Sequence, residues 1–263
     1  MLRNQLLLSL GNQHFAMLGR RGLLKLSSSF KYDAQAVDRA MLLAQLDQQL
    51  VSLALPANTK VFISLASDVV RFMVLPASPI FMSTSEKQAF ATAVFKETYG
   101  VLAAQWVISV DDNAPEQPSL ACAMDASLNE ALTQLMHKHH LKLVKLQPYV
   151  VAAFNRLLPK LAHGAQSILL VEPQRVVLLL CHHKVIHDIR SEKYVGDWQP
   201  AAKQMIVREQ LRGEIAIEQV TIYASADCLI DLHFLDELQL KVVRMTSKEP
   251  FDHPEFAMLE ALI

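Results

Sequence analysis

The chain has 263 residues, of which 52% are apolar and 19% charged, and its formal net charge is -1. That length suits two domains or lobes around a large core, which excludes wholesale disorder, and the charge leaves no basic field of the kind a general nucleic-acid binder needs. Only 7 glycines are present, under half the usual share of about 7%; because phosphate-cradling enzymes place glycines where backbone N–H groups approach the ligand, the composition argues against an ordinary nucleotide-dependent enzyme.

The opening reads as three short strands, QLLLSL, HFAML and LLKLSSS. They are split by Gly11-Asn12 and by Gly19-Arg20-Arg21-Gly22, residue types that tolerate the positive φ of tight hairpins. A helix follows at about residues 34–54, with Ala36, Ala40, Leu43, Leu46 and Leu50 on its apolar face and Asp33 as its N-cap. KVFISL and VVRFMVLP are strands, the second ended by Pro76 and Pro79. Ser83 and Glu86 form a capping-box pattern for a helix running to Tyr99; Phe90, Val94, Phe95 and Tyr99 face inward and Gly100 closes the end. WVISVDD and LACAMD are strands around a proline-containing turn. Asp125 then caps a helix carrying Leu128, Leu132, Leu135 and His139 on one stripe. LKLVKLQ alternates like a strand, and Pro148 opens a helix through Val151, Phe154 and Leu158.

After His163-Gly164 come three more strands, SILLVEP, RVVLLLC and VIHDIRS, and a helix over about residues 198–212. VTIYAS is a strand, Asp227 caps a helix to about Leu238, LKVVRMT is a last strand, and the tail reads as a short helix. The two halves echo each other. Shifted by 162 residues, Leu6-Leu7-Leu8 falls on Ile168-Leu169-Leu170, Phe15 to Leu18 on Val177 to Leu180, and Leu23-Leu24 on Val185-Ile186, without a gap. Each block leads to a helix and another strand. Two β-β-β-α-β units predict two similar α/β lobes facing each other across a cleft. The expected division is a first lobe over residues 1–164, with a smaller subdomain inserted at about 69–118, and a second lobe over 165–263.

Other signals are bland. Cys122, Cys181 and Cys228 are scattered in apolar runs, as buried reduced thiols of a cytosolic protein are. The N-terminal apolar run is too short for a secretory signal, and no stretch has the length of a membrane span. His182, His183, His187 and Asp188 fall on a hairpin, where residues 183 and 187 lie about 13 Å apart at ~3.3 Å per residue, too far for one metal ion. The HKHH run from His137 to His140 reads as a helix C-terminus. Trp106 and Trp198 are anchors, either of a core or of an interface. No GxSxG elbow, HExxH or Walker loop occurs.

The duplicated order is that of the actin-like, Hsp70-like and sugar-kinase ATPases. The succession VFISLASDVVRFMVLPAS, FKETYG, WVISVDD, LACAMDASLNEAL and LKLVKLQPYVVAAFNR resembles one group more closely. These are the actin-like cytoplasmic proteins of type IV pilus and type II secretion machines: PilM, the cytoplasmic part of GspL, and the MSHA-pilus protein MshI. The resemblance spans about residues 1–225. It implies a duplicated actin-like, ribonuclease H-like fold in which two hairpin turns with Asp-x-Gly signatures grip nucleotide phosphates and a glycine-rich turn holds adenosine. Here the first turn reads Ser9-Leu10-Gly11, the second Glu172-Pro173-Gln174, and the adenosine turn Ala224-Ser225-Ala226-Asp227. The carboxylate, the free N–H and the glycine are missing in turn, so Ser9, Gly11, Glu172, Gln174, Ser225 and Asp227 form a vestigial cleft. GspL, which looks like a scaffold in an ATPase fold, is the nearer parallel.

The expected function is therefore a non-catalytic scaffold without a cofactor or metal, on the cytoplasmic face of an inner membrane. Its implied partners are a cytoplasmic segment of a membrane-anchored pilus or secretion protein and an assembly ATPase. Phe72, Phe90, Phe95, Tyr99 and Trp106 of the insertion are the candidate partner groove. The alternative is a weak Mg-ATPase of the PilM kind. A small-molecule kinase would need a catalytic Asp and phosphate glycines, which are lacking.

Overall fold

The computed structural model describes residues 4–21, 24–33, 38–78, 83–114, 116–161, 164–213, 217, 219–224, 231, 241–246, 258, 259 and 262. In chain order the first lobe runs β1 (Asn4–Leu10), β2 (His14–Arg21), β3 (Leu24–Asp33), α1 (Arg39–Leu53) and β4 (Lys60–Leu65). Next come β5 (Val70–Leu75), α2 (Thr84–Tyr99), a 3-10 turn at Gly100–Gln105, β6 (Trp106–Val110), β7 (Ser119–Asp125), α3 (Ala126–Lys138), β8 (Lys142–Pro148) and α4 (Tyr149–Leu157). The second lobe has β9 (Ala165–Glu172), β10 (Arg175–His182), β11 (Val185–Lys193), α5 (Gln199–Arg212), β12 (Gln219–Ala224) and β13 (Lys241–Thr246).

The strands form two five-stranded sheets of one topology, β3-β2-β1-β4-β8 and β11-β10-β9-β12-β13. In each, a three-stranded antiparallel meander is extended by two parallel strands. The 162-residue echo thus surfaces as a repeated architecture. Its cause lies in central strands buried on both faces, which read as continuous apolar runs. Leu6, Leu8 and Leu10 point into the core under α1 and α3, while Leu7 packs the other face with Ala16 and Leu18. In β9, Ile168 and Leu170 take one face, and Leu169 and Val171 the other, under α5. Each fully buried leucine of this kind contributes about 1.5–3 kcal/mol. Trp198 is a core anchor beneath α5.

The third sheet, β5-β7-β6, is antiparallel. It takes in β7 up to Asp125, beyond the expected end of the insertion at Pro118. The lobes are joined by apolar packing: α4 buries Tyr149, Val150, Ala153 and Leu157 against Ile168, Leu170, Val177 and Tyr223 of the second sheet. Tyr149 and Tyr223 stack at 6.5 Å.

Local expectations are adjusted in three helices. α1 is capped by Asp38, whose carboxylate accepts the Met41 N–H at 3.0 Å. Asp33 is instead the last residue of β3, paired with His14. The buried face of α1 is Leu42, Leu46 and Leu50, whereas Ala40 is exposed and Ala36 lies outside the described residues. The capping box of Ser83 and Glu86 is formed, but α2 buries Ala91 and Phe95 and leaves Phe90 37% exposed. α3 is capped by Asp125 and buries Leu128, Leu132 and Met136; His139 is its C-cap. Among the described residues no helix is long and apolar enough to cross a membrane. The expected helix capped by Asp227 lies outside the described residues, as does most of the tail.

Candidate functional site between the lobes

Three turns meet where the two β-meanders approach each other. The first is Gly11–Gln13 between β1 and β2, the second Pro173-Gln174 between β9 and β10, and the third Ala66-Ser67-Asp68 after β4. The Ala66 N–H donates to the Leu10 carbonyl at 2.8 Å. The Asn12 N–H donates to Asp68 Oδ2 at 2.9 Å, and Asn12 Nδ2 donates to the Asp68 carbonyl at 2.7 Å. From the other lobe, Glu172 reaches the same turn. Its Oε2 accepts the Ser67 N–H at 2.7 Å, and its Oε1 bonds the Ser67 hydroxyl at 2.6 Å. Glu172 is wholly buried. Burial pushes its carboxyl up to about 7; the two Ser67 bonds and Arg175 pull against that rise, and neighbouring Asp68 adds to it.

Four of the predicted cleft residues are described. Glu172 bonds the Ala66–Asp68 turn from the second lobe, and Gly11 lies between Leu10 and Asn12, which bond the same turn from the first. Ser9 is buried inside its sheet, in register with Ala16 and Ser64. Gln174 stands at φ 61°, second in a two-residue turn after Pro173, the pattern of a type II turn that usually takes glycine. Its carbonyl accepts the Tyr194 N–H, and the Tyr194 hydroxyl donates to the Glu172 carbonyl. Ser225 and Asp227 lie outside the described residues. Asn12 was visible from sequence only as a turn residue, and His14, Ser67 and Asp68 carried no signal of a site.

This constellation does not fit a Mg-nucleotide. The face of Gly11 that would admit a phosphate is covered by the His14 imidazole, whose Cε1 lies 2.3 Å from where a Cβ would stand. Pro173 has no N–H to offer, and the buried Glu172 already takes the donors of Ser67. The cluster is a polar latch between the lobes.

The candidate groove aromatics go mainly to the small unit's own core. Phe95 is fully buried, stacks on Tyr99 at 5.9 Å and meets Trp106 edge-on at 6.2 Å. Phe72 packs against both the first-lobe core and the core joining the lobes, and Phe90 stays partly exposed. A cavity of about 540 Å³ opens elsewhere, and none of these five lines it. Its walls are Val107 of β6, Leu120 and Cys122 of β7, Val151 and Phe154 of α4, and Lys184 to Ile186 of the second lobe. Asp111, just past β6, stands at its edge. Its Oδ2 accepts the Leu120 N–H at 3.0 Å and Asn113 Nδ2 at 3.1 Å, while Oδ1 is buried with no hydrogen-bond partner among the described residues. Burial raises its pKa, against the pull of the Leu120 N–H, Ser119 and Lys87. Lys184 and His183 form the β10–β11 turn with φ of 66° and 50°, a conformation costing a side-chain-bearing residue about 1 kcal/mol or more.

The hairpin sets the His182 ring 5.8 Å from the His187 ring, a cross-strand pairing that spacing along one strand does not register. Even so, no group of three potential ligands that could hold a metal forms among the described residues. Burial pushes the thiols of Cys122 and Cys181 up to about 12, which makes them inert. In the HKHH run, His139 and Lys138 pair with Asp47, a helix-end contact.

No family model and no curated protein sequence matches the chain. Solved structures do. The PilM–PilN type IV pilus biogenesis complex superposes with a TM-score of 0.70 at 14% identity, covering 98% of this chain and 97% of that one. A Bacteroides thetaiotaomicron protein of actin-like ATPase fold and unknown function gives 0.66 at 14% identity, covering 98% and 95%. The cytoplasmic domain of EpsL, an inner-membrane component of the Vibrio cholerae type II secretion system, gives 0.57 at 9% identity, covering 98% and 94%. At such identities the likeness is one of architecture, and that architecture is the actin-like ATPase fold.

Proposed function

We propose that the protein is a non-catalytic actin-like scaffold that docks a cytoplasmic segment of a membrane-anchored partner in a pilus or type II secretion-type assembly. The observation that carries this reading is the contrast between two sites: the cleft between the meanders is filled by Glu172, Ser67, Asn12 and His14, while an apolar cavity beside the small sheet stays open. Cavities of this size and lining suit a few buried apolar side chains of a ligand. The architecture shared with PilM and with the cytoplasmic domain of EpsL supports the setting. In this reading the protein works on the cytoplasmic side of the inner membrane, uses no nucleotide, and hands an assembly ATPase its connection to the membrane. Its units are residues 1–164, with the small insertion, and 165–263.

The test is capture of the membrane protein encoded beside it, with and without that partner's cytoplasmic residues. Capture only with the segment supports the reading. Equal capture without it shows that the docking model is wrong.

A further inference from the structure

We infer that the lysine-lined edge of the first sheet, formed by β8 and the start of β4, is a docking surface for an anionic lipid bilayer. This rests on the membrane-side setting proposed above and is independent of what the cavity holds. From Ala131 to Val171 the chain carries five Lys and Arg and no Asp or Glu, although over its whole length 26 acidic residues balance 25 basic ones. The fold gathers Lys142 and Lys145 of this run with Lys60. Strand β8 is an edge of its sheet and lies beside β4. Leu143 and Leu146 of β8 pack into the core under α1 and α3 with Val61 and Ile63 of β4. Lys142, Lys145 and Lys60 therefore alternate onto the opposite face. Lys60 and Lys142 are direct partners in the parallel register, and Lys145 stands beside Phe62.

Like charges set directly opposite each other in a sheet repel. Among the described residues no ion pair relieves the three ammonium groups. The Asn58 N–H donates to the His140 carbonyl and the Lys142 N–H to the Thr59 carbonyl, which brings the end of α3, with exposed His137 and Lys138, to the same corner. Asp47, the acid that meets this corner, is already held by Lys138 and His139. Lysines on an edge strand also guard it against pairing with other chains, but Lys60 lies one strand in, where that purpose does not apply. The makeup of the strip selects a bilayer over a structured protein site. Its positive groups are lysines on long flexible stems, with no arginine fork to fix one geometry. Val144 stands exposed between Lys142 and Lys145, where the register shifts. A leaflet of diffuse negative charge suits such a surface, because each lysine contributes separately.

The experiment is vesicle flotation of the full chain, using phosphatidylcholine alone or with about a third phosphatidylglycerol, beside a titration with heparin as a soluble polyanion. Binding is expected only to the anionic vesicles and should fade with added salt. Lys60→Gln, Lys142→Gln and Lys145→Gln should each weaken it about fivefold, and the triple variant roughly a hundredfold. A control triple, Lys96→Gln, Lys193→Gln and Lys203→Gln, makes the same change in net charge on α2, β11 and α5 and should stay within about twofold of wild type. Circular dichroism checks each fold, and if the strip triple does not fold, the single variants decide. No binding to anionic vesicles, equal losses in the two triples, or binding that needs no anionic lipid would overturn the inference. Loss of heparin binding in the strip triple with vesicle binding unchanged would assign the strip to a soluble acidic polymer and overturn the bilayer reading. In each of these cases capture of the membrane protein through its cytoplasmic segment would still uphold the docking reading.

Discussion

Replacing Glu172 by Gln removes a carboxyl that folding takes wholly out of water. The amide is nearly isosteric: its oxygen can accept the Ser67 N–H and its nitrogen can donate to the Ser67 hydroxyl. The native carboxyl accepts from both Ser67 donors, the N–H at Oε2 and the hydroxyl at Oε1. Folding raises its pKa from 4.5 to about 7, chiefly by burial. At about 1.4 kcal/mol per tenfold in proton affinity, that rise corresponds to about 3 kcal/mol. Because the folded value lies above the unfolded one, this stabilising contribution is whole below pH 4.5 and is lost as pH climbs through about 7. Asp68 deepens the loss by repulsion, while Arg175 and the Ser67 donors limit it. Urea unfolding of wild type and Glu172→Gln across this range is the assay. Wild type should lose about 3 kcal/mol relative to the variant between about pH 5 and 8, making the variant the more stable protein at the alkaline end. A difference between the two that does not change with pH would refute the buried latch.

Three further outcomes are expected. Ser67→Ala keeps the backbone donor but removes the hydroxyl from Glu172, and should cost about 1–3 kcal/mol in the same assay. Gly11→Ala drives a Cβ into the His14 ring and should cost about 1–3 kcal/mol, with much of that recovered in the Gly11→Ala, His14→Ala double variant; a strictly additive cycle would contradict the contact. Phe95→Ala empties the small unit's core and should cost about 3–5 kcal/mol, with hydrogen exchange rising first in α2 and β6; uniform exchange would contradict a separate core.

What the sequence made legible is what local patterns and apolar periodicity encode. The Ser83–Glu86 capping box, the strand runs and the duplicated order of the meanders all followed from residues near one another. The Asp33 cap failed because β3 runs on through that residue to pair with His14, and a strand that long leaves no mark that distinguishes it from a helix start. Phe90 and Phe95 are five residues apart on one helix, and only the small sheet decides which of them is buried. The latch was half visible: Glu172 stood among the vestigial-cleft residues, but its receptor, Ser67, lies 105 residues away, a pairing set by how the lobes pack. The cavity was not legible at all, because its walls come from β6, β7, α4 and the β10–β11 hairpin.

In the function proposed above, an internal latch stands where an actin-like fold could hold a nucleotide. Calorimetric titration of the full chain with Mg-ATP tests it most directly. Each missing charge-assisted bond costs about 1.5–3 kcal/mol, so losing several should move the dissociation constant by orders of magnitude, leaving no heat of binding into the millimolar range. A dissociation constant in the low micromolar range would contradict the account and restore the weak ATPase.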